Sequence, residues 1–174
     1  MTPDFHKIDL LIKYVLAVAG QESGWDREIG AIHIVKYIYL ADLAYARHHN
    51  GETYTGIPWQ FHHYGPWSYD LYELIEPILD KVGARKKQIQ SEYDKDFVRW
   101  SNTDDNLFDT IDDQIDIIVA GSIQKNHRKF TNSTYDLLHH VYRTKPMLYA
   151  APDEYLNFAL MVEKFPEEVN EKSA

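Results

Sequence analysis

The chain has 174 residues, of which 44% are hydrophobic and 26% charged, as expected for one globular domain with a substantial core. It contains no cysteine, which excludes disulfides, a thiol nucleophile and thiolate metal sites. Its net charge of −9 disfavours nucleic acid as the main partner, because cations supply most of the affinity for phosphate backbones. The sequence has no secretory segment and no apolar run of about 18 residues, so we predict neither export nor a membrane span.

Two helices are predicted at the start of the chain. After Thr2-Pro3-Asp4, where Thr2 can cap, apolar residues recur every three or four positions and predict a helix that ends near Gly20. A second helix is predicted over residues 27–49, with Asp26 as its cap. Most of its sides are apolar, which is typical of a central helix. We expect it to end at Asn50-Gly51, because both residues tolerate positive φ.

The middle of the chain predicts strands around a third helix. Ile57 to Phe61 read as a short strand, and Gly65-Pro66 favours extended backbone before a helix capped by Ser68. We expect a kink or a restart of this helix at Pro77, because proline lacks an N–H and clashes with the preceding turn. Residues 85–100 predict a β-hairpin around a polar turn at residues 94–96.

The last third is predicted to be helical. A long helix is expected from Asp104-Asp105 to about His127, and a shorter one from the cap Asn132-Ser133 through Tyr142. Pro146 is expected to break the chain. Pro152-Asp153 then opens a final helix to about Lys164, and residues 166–174 are expected to form an acidic, frayed tail.

Histidines form the pattern that comes nearest to a metal site. They occur as the adjacent pairs His48-His49, His62-His63 and His139-His140. Adjacent side chains diverge on a helix and face opposite sides of a strand, so each pair offers one ligand and a site requires the pairs to converge. Separate, hydrogen-bonded histidines are the simpler interpretation. A metal-dependent enzyme that uses Asp42 and the clustered histidines is the alternative.

Asp42 lies among apolar neighbours on the second helix, so its carboxylate is expected near the core. A buried carboxylate must be paired or protonated. We expect a hydrogen-bond clamp onto a tyrosine, a histidine or the backbone of residues 59–67, and a catalytic base is the alternative.

Two charged clusters are expected to be solvated faces. The acidic one lies along the predicted long helix and could also dock a basic partner; it comprises Asp105, Asp109, Asp112, Asp113 and Asp116. The basic one precedes the hairpin and comprises Lys81, Arg85, Lys86 and Lys87. The chain has no G-x-S-x-G, G-x-G-x-x-G or G-K-[ST] motif, which makes an enzyme less expected without excluding one. We predict no enzymatic activity, no catalytic residue and no cofactor.

The run from His33 to Ile75 resembles the Panacea domain, the SocA-like antitoxin family of bacterial and phage toxin–antitoxin systems. Lys36 to Ala41 (KYIYLA) matches a helix reading K-L-L-Y-F-A, and Asn50-Gly51 matches a glycine turn. His62 to Trp67 matches an aromatic-x-x-G-P-V pattern, although Trp67 replaces a small aliphatic residue. Leu137-Leu138-His139 and Pro146 fall in a late family segment, but no tryptophan follows Pro146.

The resemblance implies an α+β fold, mostly helical, with about five to six helices around a small antiparallel sheet. It implies one domain over residues 1–165, and structural roles for Lys36, Tyr39, Ala41, Asp42, Gly51, Gly65 and Pro66. It also implies a cytoplasmic antitoxin that binds a cognate toxin directly, in some members as an adaptor for a protease. A phage or plasmid regulatory or structural protein that reuses the fold is the alternative.

The 13 tyrosines exceed what a small core needs, and aromatic residues are favoured at protein interfaces. A small α+β core edged by tyrosines is the plainer interpretation. If the chain binds a toxin, we expect its contacts among the exposed members of one group of residues: Tyr54, Trp59, Tyr64, Trp67, Tyr69 and Tyr72.

Overall fold

Helices dominate the fold, and the described residues also form two small antiparallel sheets. A computed structural model describes residues 2–63, 65–90 and 96–162, with only the backbone of Trp25, Gln90 and Asp96. The helices are α1 (Phe5–Ala19), α2 (Ala31–His48), α3 (Tyr69–Lys81), α4 (Leu107–Ile111), α5 (Ile117–Phe130), α6 (Thr134–Tyr142) and α7 (Lys145–Leu148). The strands are β1 (Ile29–Gly30), β2 (Gln60–His62), β3 (Gly65–Trp67), β4 (Arg85–Gln90) and β5 (Asp96–Ser101). The predicted α+β class, mostly helical, is confirmed.

Helix α2 is the central helix, as predicted, and most of its residues are buried. Its predicted start and its Asp26 cap are wrong. Residues Gly24–Arg27 form a 3-10 turn, and β1 pairs with β5 immediately before the helix. The predicted end is confirmed, because Asn50 and Gly51 have φ values of 53° and 83°.

The β-sheets form two separate ladders. One has the order β1-β5-β4, and it contains the hairpin predicted over residues 85–100. The turn predicted at residues 94–96 lies largely outside the described residues. The other is the β2–β3 hairpin, in which Phe61 pairs with Pro66. Its first strand begins at Gln60, later than the predicted Ile57, because Ile57 is not paired with another strand.

Two helix starts follow the expected capping chemistry. Asp4, rather than Thr2, caps α1 by accepting a hydrogen bond from the Lys7 N–H, 3.1 Å away. Ser68 caps α3, as predicted, because its Oγ accepts from the Leu71 N–H at 3.2 Å. The restart expected at Pro77 is wrong. Helix α3 continues through Pro77, which lies on its exposed side where water can satisfy the freed carbonyl.

The predicted long helix from residue 104 is wrong. It divides into α4, a 3-10 turn over Asp112–Gln114, and α5. Asp116 begins the second part, because its Oδ1 accepts hydrogen bonds from the N–H groups of Ile118 at 2.9 Å and Val119 at 3.2 Å. Aspartates compete for nearby backbone N–H groups, which favours caps over helix interiors. The acidic residues therefore do not form one helical stripe.

The final helix predicted from Pro152 is also wrong. The chain instead runs along the free edge of β2, where Phe61 donates to the Glu154 carbonyl at 2.9 Å and Asp153 donates to the Phe61 carbonyl at 2.8 Å. A short 3-10 turn, Phe158–Met161, follows. Pro146 does not break the chain but lies in the first turn of α7, where proline needs no N–H partner. The predicted tail, residues 166–174, lies outside the described residues.

Among the described residues, a buried cluster runs from Ile8 in α1 to Met161 and includes residues of all the helices from α1 to α7. Helix α2 packs against α1, α3, α5 and α6. In the described part of the chain, every helix is too short or too polar to cross a membrane.

Candidate functional site

The segment that follows α2 is tied to that helix by a buried carboxylate. Asp42 accepts hydrogen bonds from the Thr55 N–H at 3.1 Å, the Thr55 Oγ1 at 2.5 Å and the Trp59 Nε1 at 2.8 Å. The predicted clamp is therefore confirmed in kind. Its partners are a threonine and a tryptophan, rather than a tyrosine or a histidine.

The electrostatics of Asp42 fit a structural role. Burial raises its pKa to about 6, and the hydrogen bonds from Thr55 and Trp59 oppose this shift by favouring the carboxylate. The side chain is fully buried, and both oxygens already accept hydrogen bonds from these groups. Full burial and these hydrogen bonds favour a structural role for the carboxylate.

A buried lysine provides a second tie, between α2 and β3. The Nζ of Lys36 donates to the Pro66 carbonyl oxygen at 2.8 Å and lies 4.9 Å from the ring centroid of Trp67. Burial lowers the pKa of Lys36 to about 7. The tryptophan that departs from the resemblance therefore supplies a cation–π partner, which a small aliphatic residue could not do.

Other residues of the motif position the hairpin against α6. The Tyr39 hydroxyl shares a hydrogen bond of 2.8 Å with Thr144 Oγ1, and its ring makes a T-shaped contact with that of Trp59, with the centroids 5.4 Å apart. Gly65 has a φ of 81°, and a Cβ there would lie 3.4 Å from the ring of Tyr142. Ala41 is fully buried. The segment carrying β2 and β3 is thus fixed to α2 and packed against α6.

The tryptophans expected among the exposed partner contacts are instead core residues. Trp59 and Trp67 are 1% and 5% exposed, so neither offers its ring to a partner in this structure. Each has an apolar ring and one N–H, so burial costs little once the N–H is bonded, as it is in Trp59. Tyr54 is half-buried, with its ring beside Lys7 Nζ and Tyr45. Tyr64 lies outside the described residues.

The structure brings exposed tyrosines from three elements to the border of the hairpin. Tyr69 and Tyr72 were among the predicted contacts, whereas Tyr142 and Tyr155 were not. We call these four residues the tyrosine surface. Their exposed fractions are 55% for Tyr69, 47% for Tyr72, 36% for Tyr142 and 69% for Tyr155.

Contacts with the hairpin place each of these tyrosines. The Tyr69 hydroxyl lies 2.6 Å from His62 Nε2, and the Tyr72 ring lies 5.3 Å from that of Trp67. The Tyr142 hydroxyl donates to the His63 carbonyl at 3.3 Å, and Tyr155 forms a β-bridge with Gln60.

The two tyrosines that were not predicted differ in whether the sequence carried a signal for them. Tyr142 lies seven residues after Tyr135 in α6, a spacing that places both on one helix face. Tyr155 had no such signal, because its position depends on pairing between distant segments.

The histidine pairs do not converge. His48 is the last residue of α2 and His49 follows it, His62 is the last residue of β2 and His63 follows it, and His139-His140 lies in α6. His49 stacks on Tyr45 with ring centroids 3.7 Å apart, and His139 lies 3.2 Å from Arg143 Nη1. Within residues 2–63, 65–90 and 96–162, no three His, Asp or Glu side chains are arranged to hold a metal ion.

Comparison with known proteins identifies the family. The model of the family "Antitoxin SocA-like, Panacea domain" matches residues 34–146. The chain belongs to the SocA-like Panacea family. The matched range of this Panacea domain contains both buried ties and the β2–β3 hairpin, so the motif corresponds to the structural core of the site. Neither the curated proteins nor the solved structures include a match. At the level of the family, membership supports a role in a toxin–antitoxin system.

Proposed function

We propose that this Panacea domain is a cytoplasmic, non-enzymatic antitoxin that neutralises a cognate toxin by binding it through the tyrosine surface. Family membership carries the antitoxin role. The exposed tyrosines beside the hairpin support the choice of surface.

The physical argument for this surface is pre-organisation. Tyrosine rings bury a large apolar area, retain a hydroxyl for hydrogen bonding, and lose little rotamer freedom on binding. The hairpin that they border is fixed to α2 through Asp42 and Lys36. Binding of a partner therefore costs little free energy for ordering the backbone beneath the contact.

Co-expression with the neighbouring gene tests the proposal. The wild-type chain should restore growth when that gene encodes the toxin. Tyr69→Ala combined with Tyr72→Ala should weaken binding by about 100-fold, since two contact residues that contribute about 1.4 kcal/mol each lower the affinity about tenfold each. Tyr142→Ala combined with Tyr155→Ala should do the same on the other side of the hairpin.

Phe97→Ala is the matched control, because Phe97 is an equally exposed aromatic residue on the other sheet. Circular dichroism and thermal midpoints should show that all variants fold. Full neutralisation by both tyrosine variants, or loss with Phe97→Ala alone, would show that the toxin binds elsewhere. Failure of the wild-type chain to rescue growth would argue against neutralisation of that gene's product and favour a regulatory or structural role.

A second measurement separates occlusion from delivery to a protease. Direct occlusion leaves the half-life of the toxin unchanged or longer. An adaptor shortens it in a protease-dependent way. We propose occlusion, because the tyrosine surface itself can account for binding without a third component.

We also propose that residues 1–165 form one domain. Helix α1 lies before the range matched by the family model, yet it belongs to the same buried cluster as α2. Deleting α1 should therefore unfold the whole chain rather than trim it.

A further inference from the structure

A basic cleft lies between α2, α5, α6 and the start of α7. None of the four residues of the tyrosine surface lines it. Its volume is about 840 Å³, within the usual range for small-molecule sites. Five of the chain's 18 Lys and Arg residues line it, although the chain as a whole has a net charge of −9. These cleft cations are Arg47, Lys125, Lys129, Arg143 and Lys145.

The cleft cations have no anionic partners among the residues that the structure describes. The described ion pairs all involve other cations: Lys13, Arg27, Lys86 and Lys87. The lining contains a single carboxylate, Asp136, against five permanent cations. Converging like charges raise the free energy of the empty cleft, and a multivalent anion would remove that repulsion.

The positive charge of the cleft cations affects the pKa of a neighbouring histidine, His140. Burial lowers the pKa of His140, and the positive charges of Lys129 and Lys125 lower it further. Both lysines lie on α5 whereas His140 lies on α6, so the positive potential extends across the cleft rather than along one helix. At neutral pH the lysines and arginines, rather than this histidine, therefore supply the positive charge.

The distribution of charge favours a small ligand over a nucleic acid. The charges of the cleft cations and Asp136 sum to +4. Because the net charge of the chain is −9, its remaining residues together carry −13. A long polyanion would have to cross that negative surface, whereas a compact anion meets only the cleft.

Linked phosphates match the cleft better than carboxylates do. Each phosphate group carries up to about two negative charges, so two or three of them concentrate charge that a peptide spreads over many residues. Arginine forks and lysine point charges are both common phosphate ligands. The apolar part of the lining, including Leu40, Leu43 and Met161, can cover the uncharged portion of such a molecule.

We propose that this cleft binds a small molecule that carries two or more linked phosphate groups. None of the four tyrosines of the proposed toxin contact lines this site, and its ligand is recognised by the five cleft cations.

Calorimetric titration of the full chain with inorganic tripolyphosphate tests the proposal. We expect saturable binding with about one site, and an affinity that falls as salt concentration rises. Lys125→Glu combined with Lys129→Glu should lower the affinity by at least about 30-fold, since two reversed charges that face the ligand each cost on the order of 1 kcal/mol or more. Arg47→Glu combined with Lys145→Glu should cause a similar loss from other helices.

Lys81→Glu combined with Arg85→Glu is the matched control. Both residues are exposed, neither lines the cleft, and the change in net charge is the same. The control should keep the wild-type affinity within about threefold, because screening limits the effect of distant surface charges. All of the substituted cations are exposed, and thermal midpoints should confirm that each variant folds.

Three results would overturn the proposal. The first is no binding of tripolyphosphate at millimolar concentration. The second is an equal loss in the control, which would assign the effect to net charge. The third is equal affinity for citrate, which would show that the cleft has no preference for phosphate over carboxylate.

Discussion

The buried Lys36 predicts that the free energy of unfolding rises with pH above neutrality. Its pKa is about 7 in the folded chain, against 10.5 for an ordinary lysine. Between these values the unfolded chain binds more protons than the folded chain, so raising the pH favours folding. Below about pH 7 both states are protonated, and the cost of burying the ammonium is present in full.

The size of the effect follows from the same two values. From pH 6 to pH 9.5 the titration spans about 2.5 units above the folded pKa, which corresponds to at most about 3 kcal/mol. The Pro66 carbonyl and the Trp67 ring both favour the charged form. They reduce the shift, so we expect an increase of about 1–3 kcal/mol.

Urea unfolding of the wild-type chain and of Lys36→Met at pH 6, 7.5 and 9.5 measures this. The variant replaces the ammonium by an apolar side chain of similar length, so the difference between the two curves isolates Lys36 from other titrating groups. Buried tyrosines with raised pKa values, such as Tyr37, are present in both chains and cancel. A difference that stays constant within about 0.5 kcal/mol from pH 6 to pH 9.5 would refute the reasoning, because Lys36 would then have an ordinary pKa.

Two further substitutions probe the supports of the site. Asp42→Asn should lower the free energy of unfolding by about 2–4 kcal/mol at pH 7 in the same denaturation assay, because the amide nitrogen would face a donor from Thr55 or Trp59. Gly51→Ala should cost at least about 2 kcal/mol, since its φ is 83° and the added Cβ would lie 2.8 Å from the Ala159 Cα. Gly121→Ala, in the interior of α5 with nothing within 4 Å of the added Cβ, should instead be neutral or slightly stabilising.

The fold could be predicted where its causes are local. The Ser68 cap and the stop at Asn50-Gly51 depend on side-chain and backbone preferences within a few residues, and both were predicted. The break before α5 is also local, but apolar periodicity outweighed the capping tendency of Asp116 in the prediction. The strand-like path of residues 153–156 is different in kind. It depends on the free edge of β2, about ninety residues earlier in the chain.

The candidate site divides in the same way. The clamp by Asp42 could be predicted, because a carboxylate among apolar helical neighbours needs donors wherever the chain returns. Exposure of Trp59 and Trp67 could not be judged, since a tryptophan with a bonded N–H suits a core and an interface equally. The basic cleft escaped prediction because its cations come from separate helices and form no run in the sequence.

The tyrosine surface and the basic cleft share two supports, helices α2 and α6, but a shared support does not by itself couple two sites. Leu40 and Leu43 line the cleft, while Lys36 and Asp42 of the same helix hold the hairpin. Coupling would require a second arrangement of α2 or of α6. A shift of α2 would break two buried polar ties at once, and a shift of α6 would strain the hydrogen bond between Thr144 and Tyr39 of α2. We therefore expect the affinity for the toxin to be the same, within about twofold, with and without saturating tripolyphosphate. The measurement is calorimetric titration of the toxin into both forms. A larger difference, matched by an equal change in the affinity for tripolyphosphate, would show that α2 or α6 has two arrangements and that these hydrogen bonds do not hold the helices in one.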